Sequence, residues 1–397
     1  MNTSYNSGLE ISKIHYDYII IGAGASGLML ANALGKDAFF NDKSVLLLDK
    51  NPKNSNDRTW CFWEKGVGEL DPIVHKSWKN IFFGGQAYSE QLAIAPYSYK
   101  LIRGIEFYRY MIDKISSYPN IDFINAEVHQ VKEENGLVNV KTGARTYTCS
   151  QVFNSMLEID KIRRQNKYPV LHQHFMGWVV KTKEPVFNPH VATFMDFSVD
   201  QKNNTRFMYA LPFSKKSALL EYTLFSQNLL PKEEYENAIQ EYLIEKLGCE
   251  DFEIIEREKG SIPMTSYKFH KHNTQRIQYI GTAGGWTKPS TGYTFFNTAK
   301  KTKTLVQLLK DGKAIHTLSS KWKFWFYDLL LLDILYEHND KGHHIFETLF
   351  KNRSPQLIFK FLDEETSFWE DLQIISGCPK REFLRAIYRR SIRKFSQ

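Results

Sequence analysis

The sequence predicts an α/β fold: a Rossmann-like dinucleotide-binding domain, an inserted β-sheet on its substrate side, and a helical C-terminal part. Three observations carry this. Strand, glycine-punctuated turn, helix and second strand follow one another over residues 17–49. Short alternating strands recur over residues 121–149 and 173–223, and a second glycine-rich turn follows a strand at 281–292. With 397 residues the chain can bury a substantial core. The expected division assigns residues 14–165 and 276–312 to the two parts of the dinucleotide-binding domain, 166–275 to the sheet-bearing domain and 313–397 to the helical region.

The apolar run at residues 18–21 reads as a buried strand, Gly22 opens the turn, residues 25–34 carry helical periodicity and 45–48 form the second strand. A polar, tryptophan-containing segment occupies 51–63. Residues 104–118 repeat at the helical period until Pro119-Asn120 stops them. Short strands at 121–125, 127–132, 137–141 and 145–149 read as a β-meander. Residues 173–223 are strand-like and aromatic, with turns at Asn188-Pro189 and Asn203-Asn204. Residues 231–247 then read as helix, 252–262 as extended, 276–280 as the strand entering the second glycine turn, and the chain from 297 onward as mostly helical.

Gly22, Gly24 and Gly27 form a G-x-G-x-x-G pattern at the first strand-to-helix turn. Gly22 makes the turn, Gly24 lets backbone approach a pyrophosphate, and Gly27 permits close helix–strand packing. The helix N-terminus supplies N–H groups and a positive dipole end for phosphates. Asp49 follows Gly27 by 22 residues, at the end of the second strand, where a carboxylate can meet an adenosine ribose. An ADP-containing cofactor is expected, and this unit alone leaves FAD and a nicotinamide both open.

Formal charge is +8, from 52 basic and 44 acidic residues. That surplus is compatible with a plain solvated surface, anionic lipid or nucleic acid; no nucleic-acid partner is expected. Cys61, Cys149, Cys249 and Cys378 lie too far apart for a metal-ligand pair or a dense disulfide framework, so a reducing cytoplasm is the simplest compartment. No metal site is expected, since the adjacent His343 and His344 point to different faces of a helix. No signal peptide is expected ahead of the first strand, and no stretch approaches the ~20 apolar residues that span a bilayer.

Past the glycine turn, Asn56-Asp57-Arg58-Thr59-Trp60-Cys61-Phe62-Trp63 resembles the lycopene cyclases of carotenoid biosynthesis. So do Pro96-Tyr97-Ser98-Tyr99 with Ile102-Arg103-Gly104, Gln173-His174-Phe175-Met176-Gly177-Trp178, and Met195-Asp196-Phe197. The segment from Phe207 to Ser214, the triplet Ile262-Pro263-Met264 and the run from Gly281 to Phe295 complete the likeness. The resemblance implies a bacterial lycopene β-cyclase: a flavoprotein of the flavoprotein-hydroxylase fold type that needs reduced FAD and isomerises linear ψ-ends without net redox change. NAD(P)H is the implied electron source, and lycopene and related linear carotenes are the implied substrates. The cofactor would be held by Gly22, Gly24, Gly27, Asp49 and Arg58, and by Gly281, Thr282, Gly284 and Gly292 of the second turn. Hydroxylases of this fold usually carry an acid where this chain has Thr282, which counts against the alternative reading, a flavin-dependent monooxygenase acting on a lipophilic isoprenoid.

Ring closure of a ψ-end requires a proton for a terminal alkene, attack on the resulting tertiary cation by a second alkene, and loss of a proton. A carboxyl in a dry pocket keeps its proton near neutrality and can serve as the acid. Glu221, in Leu219-Leu220-Glu221-Tyr222-Thr223, sits in such a strand-like apolar setting, eight residues after Phe213. The family's essential glutamate follows the Pro-Phe-Ser segment, so the resemblance implies that role for Glu221; a structural carboxylate paired with a base is the competing reading. The acids in Phe361-Leu362-Asp363-Glu364-Glu365-Thr366 fall too late for that motif and read as a helix N-terminal turn. Aromatic faces stabilise cations, and Trp60, Phe62, Trp63, Phe175, Trp178, Trp286 and Tyr293 lie in the resembling motifs. His172 and His174 read as packed rather than catalytic.

A carotene does not travel through water, so membrane contact is expected, at residues 321–332 or 380–394, where cations alternate with aromatic and aliphatic side chains. The competing reading of each is an amphipathic helix packed on the protein's own core. The expected location is the cytoplasmic face of a membrane, held peripherally, with other carotenoid-pathway enzymes as further candidate partners.

Overall fold

The computed structural model describes residues 14–318 and 321–395. In chain order the first elements are β1 (His15–Ile21), α1 (Ala25–Lys36), β2 (Val45–Asp49), β3 (Thr59–Lys65), β4 (Lys76–Trp78), β5 (Asn80–Gly84), β6 (Ser89–Ala93) and β7 (Tyr97–Arg103). Next come α2 (Gly104–Ser116), β8 (Ile121–Asn125), β9 (Val128–Glu134), β10 (Leu137–Thr142), β11 (Thr146–Asn154) and α3 (Ile159–Arg163). The middle of the chain gives β12 (Leu171–Thr182), β13 (Val191–Asp196), β14 (Thr205–Ser214), β15 (Ser217–Ser226), α4 (Lys232–Glu241), β16 (Phe252–Met264) and β17 (Ile277–Tyr279). Helices α5 (Phe295–Lys310), α6 (Trp322–Glu337), α7 (Gly342–Asn352), α8 (Pro355–Leu362), α9 (Phe368–Ser376) and α10 (Lys380–Phe395) follow.

A first sheet runs β8-β2-β1-β11-β10-β9, with β17 paired to β11. Its centre is parallel: β1 pairs with β2 and β11, and β2 with β8. Strands covered on both faces need continuous apolar sequence, and Val45, Leu46, Leu47 and Leu48 are all buried. Helix α1 buries eight residues, with Leu28, Leu30 and Leu34 in a core shared by β1, β2, α2 and α5. The expected meander is thus only partly formed. β9, β10 and β11 are antiparallel neighbours, whereas β8 lies at the far edge, parallel to β2.

The second sheet has the order β16-β12-β15-β14-β13-β5-β6. Residues 64–103, for which the sequence pattern predicts no regular element, supply β5 and β6 to it and β4 and β7 to a third sheet, β3-β7-β4. Side chains alternate between faces along a strand, and the alternation divides the long strands cleanly. Met176, Trp178, Ala218, Leu220 and Tyr222 pack against Tyr235 and Ile239 of α4. Leu171, Tyr209, Leu211 and Leu219 face the other way, into a core shared with the third sheet and helices α6 to α8.

The helical end corrects one expectation. Asp363 caps the C-terminus of α8, and Glu364 has a positive φ of 60°, so the acid run closes one helix rather than opening the next. Ser367 opens α9 with a capping box to Glu370. Helix α6 buries Phe324, Leu329, Leu330, Leu332, Ile334 and Leu335; of the stretch expected at a membrane, Trp322 stands out at 70% exposure. No helix among the described residues is long and apolar enough to cross a membrane.

Candidate functional site

A cavity of about 460 Å³ lies where the first and second sheets meet. The N-terminus of α1 enters it at Gly24 and Ser26, and the return segment contributes Thr282, Gly292 and Tyr293. Arg58, Trp60 and Cys61 close one side, and Phe175, Tyr209 and Glu221 project from the second sheet.

At the first glycine turn, Gly22 has φ +96°, and a Cβ there would lie 2.0 Å from Ser155 Oγ. A Cβ on Gly27 would lie 1.8 Å from the Gly22 carbonyl oxygen. Around Gly24 a Cβ would meet nothing within 4 Å, so this backbone faces open space. The Asp49 carboxylate accepts the Ala23 N–H at 2.6 Å and the Asn51 N–H at 2.7 Å, and Lys53 Nζ lies 3.2 Å away. Arg58 lines the cavity and donates to Asp57, which also accepts from the Tyr108 hydroxyl.

At the second turn, Gly281 has φ +60° and Gly292 has φ +71°; a Cβ on Gly292 would fall 1.8 Å from Gln173 Oε1. Gly284 approaches the Tyr279 carbonyl, where a Cβ would lie 2.3 Å from the oxygen. Thr287 Oγ1 donates to Thr282 Oγ1 at 3.0 Å. Neither α1 nor α5 has a side-chain N-cap, so each leaves first-turn N–H groups and a positive dipole end facing the same space. Gln173 Oε1, buried beside Gly292, has no hydrogen-bond partner. Open backbone, two uncapped helix N-termini and an orphaned polar atom fit a polar, anionic, extended group such as FAD.

Opposite these turns, Glu221 lies in a row across the second sheet. It pairs with Tyr209 of β14 on one side and Gly177 of β12 on the other, and Gly177 in turn pairs with Glu258 of β16. The two carboxyls are hydrogen-bond partners. Burial, and then the neighbouring Glu258 charge, push the Glu221 carboxyl up to about 8. Burial also raises Glu258, which accepts from Thr59 Oγ1 at 2.8 Å. Burial pushes the Cys61 thiol and the Tyr99 and Tyr209 phenols well up, so these neighbours are uncharged near neutrality.

The structure brings Glu221, Arg58, Gly24, Thr282 and Gly292 to one cavity, together with Trp60, Phe175 and Tyr293 from the motif aromatics. Others lie elsewhere: Trp178 packs on the α4 side, and Trp63 stacks on Phe359 while donating its indole N–H to Asp363. His174 is buried between Tyr235 and Ser226, and burial lowers it to about 4. Sequence reasoning misses Glu258, because Glu256-Arg257-Glu258-Lys259 has the composition of a solvated strand edge.

Comparison with known proteins identifies the family and the fold. The profile of the lycopene cyclase protein family matches residues 17–388. A lycopene beta-cyclase from Pantoea ananas is 26% identical over 293 residues, covering 70% of this chain and 71% of its own. A lycopene beta-cyclase from Paracoccus sp. is 24% identical over 292 residues, covering 70% of each chain. Among solved structures, a geranylgeranyl bacteriochlorophyll reductase-like protein from Thermoplasma acidophilum superposes with TM-score 0.60 at 11% identity, over 94% of this chain and 98% of that one. A flavin-dependent brominase gives TM-score 0.57 at 13% identity, over 96% of this chain and 99% of its own. The fold is therefore that of the flavin-dependent monooxygenases and halogenases, and the chain belongs to the lycopene cyclase family.

Proposed function

We propose that this protein is a lycopene β-cyclase that closes the ψ-ends of lycopene to β-rings, giving γ-carotene and β-carotene, as an isomerase-type enzyme with no net redox change. The observation that carries the reading is Glu221: a carboxyl pushed up to about 8, in a cavity shared with two uncapped helix N-termini. An acid in that state can protonate an alkene near neutral pH.

In this reading Gly22, Gly24, Gly27, Asp49 and Arg58, with Gly281, Thr282, Gly284 and Gly292, hold FAD, kept reduced at the expense of NAD(P)H. Bound in its reduced, anionic form, FAD supplies fixed negative charge beside a developing carbocation. Glu221 gives its proton to the terminal alkene, leaving a tertiary cation. The internal alkene attacks that cation and forms the ring bond. A proton then leaves the ring and returns to the Glu221 carboxylate, so none is consumed. The faces of Trp60, Phe175 and Tyr293 line the path and attract the cation.

The substrate is delivered from lipid. Helix α10 packs its inner face on α6 through Ala386 and Phe383 and ties Arg390 to Asp333. Its outer face exposes Leu384 at 65% and Tyr388 at 68%, beside Arg381 and Arg385. That composition suits an anionic headgroup layer.

The test is expression in a lycopene-accumulating host with chromatography of the carotenes. Ring-closed products from the wild type, and none from Glu221→Gln with flavin retained, are expected. Oxygen uptake coupled to substrate turnover would instead identify a monooxygenase.

A further inference from the structure

We propose that Glu258 is a positioning residue for ring closure: hydrogen-bonded to Glu221 across Gly177, it fixes the shared proton on the carboxyl that faces the cavity. This rests on the cyclase reading and assigns a role to a residue outside the family resemblance described above.

The geometry begins with register. Gly177 is paired with Glu221 on one side and Glu258 on the other, so both carboxyls project from the same face of three neighbouring strands. A side chain at position 177 would stand between them. A Cβ there would lie 3.1 Å from Glu258 Cγ, 3.1 Å from Leu219 Cδ1 and 3.5 Å from Glu258 Oε1. Glycine therefore opens the gap through which the two acids meet.

The remaining hydrogen bonds assign the proton. Thr223 Oγ1 donates to Glu221 Oε1 at 2.8 Å, which leaves Oε2 to carry the hydrogen. Thr59 Oγ1 donates to Glu258 Oε2 at 2.8 Å, which leaves Oε1, the oxygen over Gly177, to accept it. On the Glu258 side the Glu256 charge opposes a charged Glu258, and Arg103, ion-paired to Glu256, works the other way and favours it. The other titratable groups facing the pair are Cys61 and Tyr99 from the third sheet, Tyr209 on β14 and Tyr293 of the return segment. Burial holds all four neutral in the range where the pair titrates.

Two like charges so close cannot both form without penalty, so the pair keeps a proton at neutral pH, and in this proposal it is a single proton shared between the two carboxyls. When Glu221 gives that proton to the alkene, the pair goes from one negative charge to two directly beside the new cation. Electrostatic stabilisation thus appears as the cation forms. The same doubled charge makes Glu221 a stronger base for the proton that leaves the ring, and its return restores the starting state.

The test uses the full chain with FAD bound, comparing wild type with Glu258→Gln, Glu258→Asp and Gly177→Ala. Two readouts are taken: the pH profile of cyclisation, and the infrared band of the protonated carboxyl, assigned by its loss in Glu221→Gln and titrated without substrate. Removing the Glu258 charge is expected to move the basic limb and the infrared midpoint down by about one pH unit or more, with the KM for carotene within about twofold. Glu258→Asp should bring both back toward wild type. Gly177→Ala, which leaves both acids in place, should move them in the same direction by separating the carboxyls. A uniform loss of turnover with an unmoved pH profile and midpoint would overturn the proposal. A midpoint that moves in a protein whose wild type forms no ring would sink the cyclase reading and leave the shared proton standing.

Discussion

The carboxylate of Asp49 accepts the backbone N–H of Ala23 at 2.6 Å, so the end of the second strand braces the glycine turn that leads into the first helix. Lys53 closes over the same oxygen at 3.2 Å, with both side chains only 9% exposed. The acid thus acts through the turn itself, in addition to the cofactor contact proposed for it. A hydrogen bond to a charged group contributes about 1.5–3 kcal/mol. Asp49→Ala is therefore expected to weaken FAD binding by about tenfold or more, read as flavin fluorescence against protein concentration.

Two glycines of the same turn should respond differently to one methyl group. Gly24 has φ −80° and nothing within 4 Å of a Cβ, so Gly24→Ala should leave the unfolding midpoint of the apoprotein almost unchanged while weakening FAD binding. Gly27→Ala drives a methyl toward the Gly22 carbonyl, 1.8 Å from the Cβ position, and should cost about 1–3 kcal/mol of folding stability. Paired denaturant curves and flavin titrations separate the two.

The βαβ unit is legible in the sequence because its signals are local: an apolar run, a glycine spacing, a helical period. β8 is harder. It follows α2 and precedes a true meander, and its parallel partner β2 lies more than seventy residues back, a pairing that alternation alone does not encode. Glu258 is hidden for the same reason. Its own strand looks solvated, and only the registers of β12 with β15 and β16 bring it to Glu221. The lysine- and tryptophan-rich start of α6 reads as interfacial, yet an amphipathic helix packed on a core has the same composition, and half of the residues of α6 are buried.

Lys288 shows what ties the helical end to the second glycine turn. Its side chain is 1% exposed and its Nζ lies 2.8 Å from Asp328 Oδ2, itself 3% exposed, and 3.5 Å from Glu364. Removing one partner of a buried pair strands the other charge, at a cost of about 3–5 kcal/mol. Lys288→Met is expected to lose that much in chemical denaturation, and adding Asp328→Leu should recover most of it. A single variant as stable as wild type would show that the pair is solvated.

The exposed face of α10 predicts lipid binding by charge and by insertion. Basic side chains at an anionic surface contribute about 1 kcal/mol each, so reversing Arg381 and Arg385 together should lower affinity for anionic vesicles by about tenfold or more at low salt. Leu384→Glu should weaken binding to anionic and to neutral vesicles alike. Co-sedimentation with the two vesicle types reads both effects, and equal binding by wild type and charge-reversed protein would place the contact elsewhere.

Glu221 gives the last prediction, in which stability and chemistry move in opposite directions. Its folded-state carboxyl is raised from 4.5 to about 8, so between those values the folded chain holds a proton that the unfolded chain has released. The resulting stabilisation is complete below about pH 4.5 and is lost as pH rises through about 8, at up to about 1.4 kcal/mol per pH unit. Glu221→Gln keeps the shape and cannot ionise. Its Tm should therefore rise relative to wild type as pH increases from 5 to 9, while ring formation is abolished at every pH in that range. Thermal unfolding of both proteins across that series tests the first half, and carotene chromatography the second. A Tm difference that stays constant with pH would mean that Glu221 titrates as an ordinary carboxyl, and an ordinary carboxyl is ionised near neutrality and has no proton to give an alkene.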